Sequence, residues 1–104
     1  MDKNGYPTKD ELNRIKNWKD DINGLAQYVA SLWYYPNRVH FYRGKDFFGK
    51  SIKKLYLSTG GWSGNEELIG ALHQNFMFWS LCWLQTKRGG HYWFEIKSFK
   101  KKEK

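Results

Sequence analysis

Along the first third of the chain, Leu12, Ile15, Trp18, Ile22, Leu25, Val29, Leu32 and Trp33 recur at mostly three- and four-residue steps. Such spacing places them on one stripe of a helix, because a turn takes about 3.6 residues. Asp10, Lys16, Lys19, Asp20, Asp21 and Gln27 fall largely off that stripe. Thr8 and Glu11 stand ahead of it at capping-box spacing, where side chain and backbone satisfy two helix-start N–H groups reciprocally. Gly24 lowers helix propensity without ending the pattern. Pro36 does end it, since the residue before a proline is pushed out of the helical region. The pattern predicts a first helix over 9–34.

The period then shortens to two. Residues 38–43 read RVHFYR, rich in the β-branched and aromatic types that suit strands. Residues 51–58 read SIKKLYLS, with Leu55 and Leu57 on one face and Lys54 and Tyr56 on the other. The connection GKDFFGK carries Phe47 and Phe48, which either fold back over the core or project as an apolar tip. After TGGWSGN (59–65), Ser63 and Glu66 repeat the capping-box spacing, so a second helix is expected to begin there. Leu68, Ile69, Leu72 and Phe76 form its apolar face. A helix running on to about 84 fits the residues too. The ring-rich FMFWSLCWLQT favours instead a switch near 76–78 and a strand over 79–86. KRGG marks a turn, and HYWFEIKSF (91–99) sets Tyr92, Phe94 and Ile96 against His91, Trp93 and Glu95 as a half-buried strand.

The order is therefore α-β-β-α-β-β. It predicts an α+β fold, with a four-stranded antiparallel sheet and two helices packed on one face. With 104 residues and no linker, one domain over 1–104 is expected, its basic tail 98–104 frayed.

Composition narrows the function classes. Six Trp, seven Tyr and seven Phe make up 19% of a chain whose net charge is +8. That many rings excludes a disordered tail. One cysteine excludes a disulfide framework or a thiolate zinc site. No apolar run has the length of a membrane helix, and the N-terminus has no apolar targeting core. The expectation is a cytoplasmic protein with no membrane partner.

The charge is concentrated. Residues 38–57 and 87–104 each carry a net +5, residues 1–37 are balanced, and 58–86 hold only Glu66 and Glu67. If the two basic hairpins are neighbours in one sheet, Arg38, Arg43, Lys53, Lys54, Lys87, Arg88 and Lys97 can form one positive field. With tyrosine, histidine and tryptophan on the same face, that field suits single-stranded nucleic acid. The blander reading is charge that keeps a sheet's outer face solvated.

The glycine-rich loop at 59–65 lies where backbone N–H groups can cradle an anion. It lacks the lysine and hydroxyl order of a phosphate loop, and Glu66 and Glu67 repel a phosphate. A shaped turn or a partner-contact loop fits better. Trp62, flanked by small residues, either plugs the core edge or stands out as an interface anchor. A catalytic site would have to gather His40, His73, His91, Glu66, Glu67, Asp46 and Cys82, none of which has informative spacing. No catalytic residue, metal ligand or cofactor is assigned, and Cys82 reads as a small buried apolar group.

The blocks STGGWSGNEELIGAL (58–72), FMFWSLCW (76–83) and KRGGHYWFEI (87–96) resemble a group of small bacteriophage- and prophage-encoded proteins of unknown function. The likeness is strongest over roughly 55–97. It implies an accessory product made inside an infected or lysogenic bacterium, and it transfers no functional residue. In that setting the leading expectation is a non-enzymatic binder of an unidentified host or phage protein, acting on a host protein or defence system. Its contact surface would join Trp62, Ser63, Asn65, Arg88, His91 and Trp93. Nucleic-acid binding through the basic hairpins is the alternative.

Overall fold

Thr8 caps the first helix as its spacing predicts. Its hydroxyl accepts the Glu11 N–H at 3.1 Å, and the Glu11 carboxylate accepts the Thr8 N–H at 2.8 Å. In the computed structural model, which describes residues 1–97, this helix, α1 (Lys9–Lys16), is short. The single helix expected over 9–34 is two. The chain turns at 17–21, passes through Asp21 at φ 52°, and restarts as α2 (Ile22–Leu32). Asp21 tolerates the left-handed region and accepts the Gly24 N–H at 3.0 Å. A β-carbon on Gly24 would collide with that carboxylate. The glycine read as a propensity cost is therefore part of a cap. Ile15, Ile22, Leu25 and Val29 are all buried, because both helices pack on one core and the stripe crosses the break.

After a 3₁₀ turn at Pro36–Arg38 come β1 (Val39–Lys45) and β2 (Ser51–Ser58), close to their expected bounds. The final pair is β3 (Trp83–Lys87) and β4 (His91–Glu95). All pairings are antiparallel, in the order β1-β2-β4-β3. The two basic hairpins are thus neighbours, joined through β2 and β4. The strand expected to reach 99 ends at Glu95, and 98–104 lie outside the described residues.

Between the hairpins lie α3 (Ser63–Gln74) and α4 (Phe76–Cys82). The second helix does begin at Ser63, but the expected Ser63–Glu66 capping box is absent. Trp62 is the N-cap and offers no side-chain bond, while the Ser63 hydroxyl is spent on Tyr6. The strand expected over 79–86 is also corrected, since residues 76–82 are helical. Asn75 explains it. Its carbonyl oxygen accepts the Phe78 N–H at 3.0 Å, restarting a helix, and its Nδ2 donates to Ile15 O at 2.8 Å and Trp18 O at 2.9 Å. Asn75 is therefore where α3 ends and α4 begins: its backbone N–H closes α3, its side chain caps α4, and the same amide ties the junction to the turn after α1.

Leu55, Leu57 and Phe94 face the helices and meet Leu25, Val29, Leu68, Leu72 and Phe78 in the core. Phe76, expected inside, is 81% exposed. Trp79 is half-buried against Phe94, and Trp83 is exposed at the edge strand.

Candidate functional site

Period-two alternation turns every second strand residue away from the helices. The register puts His40 and Tyr42 of β1, Lys54, Tyr56 and Ser58 of β2, and His91, Trp93 and Glu95 of β4 on that outer face. The Tyr56 hydroxyl lies 2.6 Å from His91 Nδ1, with the ring planes 10° apart. Rings in face-to-face contact are separated by about 3.5 Å. A bond as short as theirs therefore needs the two rings edge to edge, nearly in one plane. Trp93 lies beside Tyr56 with centroids 5.0 Å apart, and His40 lies on the other side at 5.9 Å and 15°. The result is a row of four rings across three strands.

The seven predicted cations do not share this face. Arg43 pairs with Lys53 in register on the helix side, where the Lys53 ammonium lies 4.8 Å from the Phe41 ring centroid and 2.7 Å from the Asn23 carbonyl oxygen. Lys54 is on the outer face but faces Glu95 at 3.6 Å, and Lys97 is 3.8 Å from the same carboxylate. Arg38, Lys87 and Arg88 remain at the end of the sheet nearest His91. The Lys87 ammonium stands 6.0 Å from the Trp93 ring centroid. Arg38 lies over Tyr35 and reaches Ser58 Oγ at 3.5 Å. Arg88 is exposed in the turn between β3 and β4.

The six residues expected to form one partner surface divide as well. Arg88, His91 and Trp93 belong to the outer face and its rim. Trp62 is half-buried between Tyr6 at 4.9 Å and Tyr34 at 4.6 Å. The ring thus packs against two tyrosines at the start of α3. Asn65 is 1% exposed; its Oδ1 accepts the Tyr34 N–H and its Nδ2 donates to Thr59 O. Ser63 Oγ is 2.7 Å from the Tyr6 hydroxyl. Ser63 and Trp62 thus bind the N-terminal segment to the body of the protein through Tyr6, and Asn65 ties the end of α2 to the loop after β2.

The glycine loops do meet. The Thr59 N–H donates to Gly90 O at 3.0 Å, which closes the end of the sheet where Arg38, Arg88 and His91 gather. The titratable groups considered for catalysis are scattered. His73 lies edge-on to Trp79 and lines, with Glu66, Trp83 and Tyr92, a cleft of about 510 Å³ on the helix side. Asp46 is in the β1–β2 turn, and Cys82 is buried, which pushes its thiol up. Among the described residues no three His, Cys, Asp or Glu side chains come together as a metal site. His40 and Tyr56 were not among the predicted contact residues. Their signal was the alternation that sets His40 against Val39 and Phe41, and Tyr56 against Leu55 and Leu57.

Comparison of the chain with models of known families, with characterised proteins and with solved structures finds no match.

Proposed function

We propose that this chain is a non-enzymatic binding module whose sheet face opposite the helices holds a short stretch of single-stranded nucleic acid. The observation that carries this reading is the edge-to-edge Tyr56–His91 pair flanked by Trp93 and His40. The row lies on the sheet face opposite the helices and is rimmed by Arg38, Lys87 and Arg88. Unstacked bases lie on aromatic platforms at about 1–3 kcal/mol per base. The cations neutralise phosphates and release counterions. Three strands span about 10 Å, room for two or three bases. A protein partner held through Trp62 has less support, since Tyr6 and Tyr34 cover that ring. In the phage setting that the sequence resemblance implies, the ligand is a single strand of host or phage origin.

The test is fluorescence anisotropy with labelled single-stranded DNA, single-stranded RNA and duplex DNA at two salt concentrations. Saturable binding that prefers single strands and weakens with salt is expected. Trp93→Ala should weaken it about tenfold or more, with the circular dichroism spectrum unchanged. Absence of binding at low salt, or binding indifferent to both Trp93→Ala and Tyr56→Ala, overturns the reading.

A further inference from the structure

The hairpin of β1 and β2 is longer than the sheet it belongs to. β4 pairs with β2 only from Lys54 onward, and the last bond across is Ile96 N–H to Lys53 O at 2.9 Å. Residues 44–52 therefore extend past β4 as a two-stranded arm, at the end of β2 opposite the Thr59–Gly90 junction. Its tip carries Phe47 and Phe48, 92% and 81% exposed, with ring centroids 5.3 Å apart and planes at 85°.

The tip is a built turn. The Asp46 carboxylate accepts the N–H groups of Phe48 and Lys50, each at 2.9 Å. The Asp46 N–H donates to Lys50 O at 2.9 Å, and the Gly49 N–H to Asp46 O at 3.0 Å. Gly49 sits at φ +82°, a conformation that favours glycine. The fold thus fixes two apolar rings in water, where they contribute nothing to its core. Just behind them stand Arg43, Lys45 and Lys50, all exposed. Among the described residues none of the three has a carboxylate within ion-pair distance. The one acid of the arm, Asp46, is turned onto backbone N–H groups.

We propose that this arm is a membrane-contact element: Phe47 and Phe48 enter the interface of an anionic bilayer while Arg43, Lys45 and Lys50 face its headgroups. Charge complementarity selects this occupant, because the collar is wholly cationic and a broad anionic surface meets all three charges at once. Insertion of an apolar tip to headgroup depth removes both rings from water. The short apolar runs that exclude a spanning helix do not bear on contact of this kind, and no described helix is long and apolar enough to cross a membrane. The arm is separate from the ring row, so the two readings stand or fall independently.

The experiment is cosedimentation of the nuclease-treated full chain with vesicles of phosphatidylcholine alone or mixed with phosphatidylglycerol. Binding to the anionic vesicles only is expected. Phe47→Ser with Phe48→Ser should lower the partition coefficient at least about tenfold, without moving Tm or the affinity for single strands. Lys45→Glu with Lys50→Glu should lower it about 25-fold or more at low salt, at about fivefold for each cation lost, with the difference shrinking in high salt. Absence of binding to anionic vesicles at low salt overturns the proposal and leaves the tip as a contact for another protein. Binding that the double serine variant does not weaken overturns it too.

Discussion

Thr59 and Gly90 lock the two glycine loops together at one end of the sheet. The Thr59 N–H donates to the Gly90 carbonyl at 3.0 Å, and the Thr59 hydroxyl occupies the space that a β-carbon on residue 90 would need. Gly90 also sits at φ +83°, so Gly90→Ala meets a strained backbone and a collision together. A loss of about 2–4 kcal/mol is expected in urea unfolding. Gly70→Ala is the control: nothing lies within 4 Å of its new methyl, and helix propensity favours the change by up to about 1 kcal/mol.

Asn75 makes three hydrogen bonds to backbone groups, two of them to residues 57 and 60 positions away. Asn75→Ala leaves the buried Ile15 carbonyl, the part-buried Trp18 carbonyl and the Phe78 N–H without that partner, and should cost about 3 kcal/mol. Asn75→Asp keeps the cap on Phe78 but turns an acceptor toward two carbonyl oxygens. It should be at least as damaging at neutral pH, as thermal unfolding of the two variants would show.

Trp62 joins the N-terminal segment to α3 and to Tyr34. Trp62→Ala should cost about 2–3 kcal/mol and expose residues 1–8 to limited proteolysis. Single-strand affinity should be retained, because the ring row lies elsewhere. A variant that kept its stability and its protease resistance but lost nucleic-acid binding would contradict this placement.

Glu11 gives a pH dependence of known sign. Partial burial pushes its carboxyl up, but hydrogen bonds from the N-terminal ammonium and Thr8, with the ammonium's charge, outweigh this and hold it below the usual range. A depressed folded pKa means stability that is present above the unfolded value and lost as pH falls through the folded one. Glu11→Gln keeps the capping geometry and removes the charge. The loss at pH 7 should be no more than about 1 kcal/mol, since the pair is open to solvent. The difference should shrink as the pH falls below the ordinary glutamate range and vanish below the depressed folded value, where the wild-type carboxyl protonates.

Much of the sheet was legible because strand signals are local. The alternation in SIKKLYLS and HYWFEI sorted Leu55, Leu57, Tyr92 and Phe94 from Tyr56, His91 and Trp93, and the structure sorts them the same way. The helices were less legible. Ile15 and Ile22 stay in phase across a break, so a stripe of apolar residues looks the same whether one helix or two carry it. Ser63 shows how spacing misleads: it has a capping partner at the right distance, yet its hydroxyl belongs to Tyr6 in the folded chain. Most of the candidate site was visible, with Arg38, Lys87, Arg88, His91 and Trp93 named and His40 and Tyr56 left out.

By itself the sequence determined the first two strands and the last, their faces, the charge of the hairpins and the turns at the glycines, because each follows from residues a few positions apart. Only the tertiary structure decided where the helices break, which way Trp62 and Asn65 turn, and which cations share a face with the rings. Those outcomes depend on partners far away in the chain, Asn75 for the carbonyls at Ile15 and Trp18, Tyr6 and Tyr34 for Trp62, Glu95 for Lys54. A buried polar group or an aromatic face takes whichever partner the packed core brings within reach, and no local pattern encodes that choice.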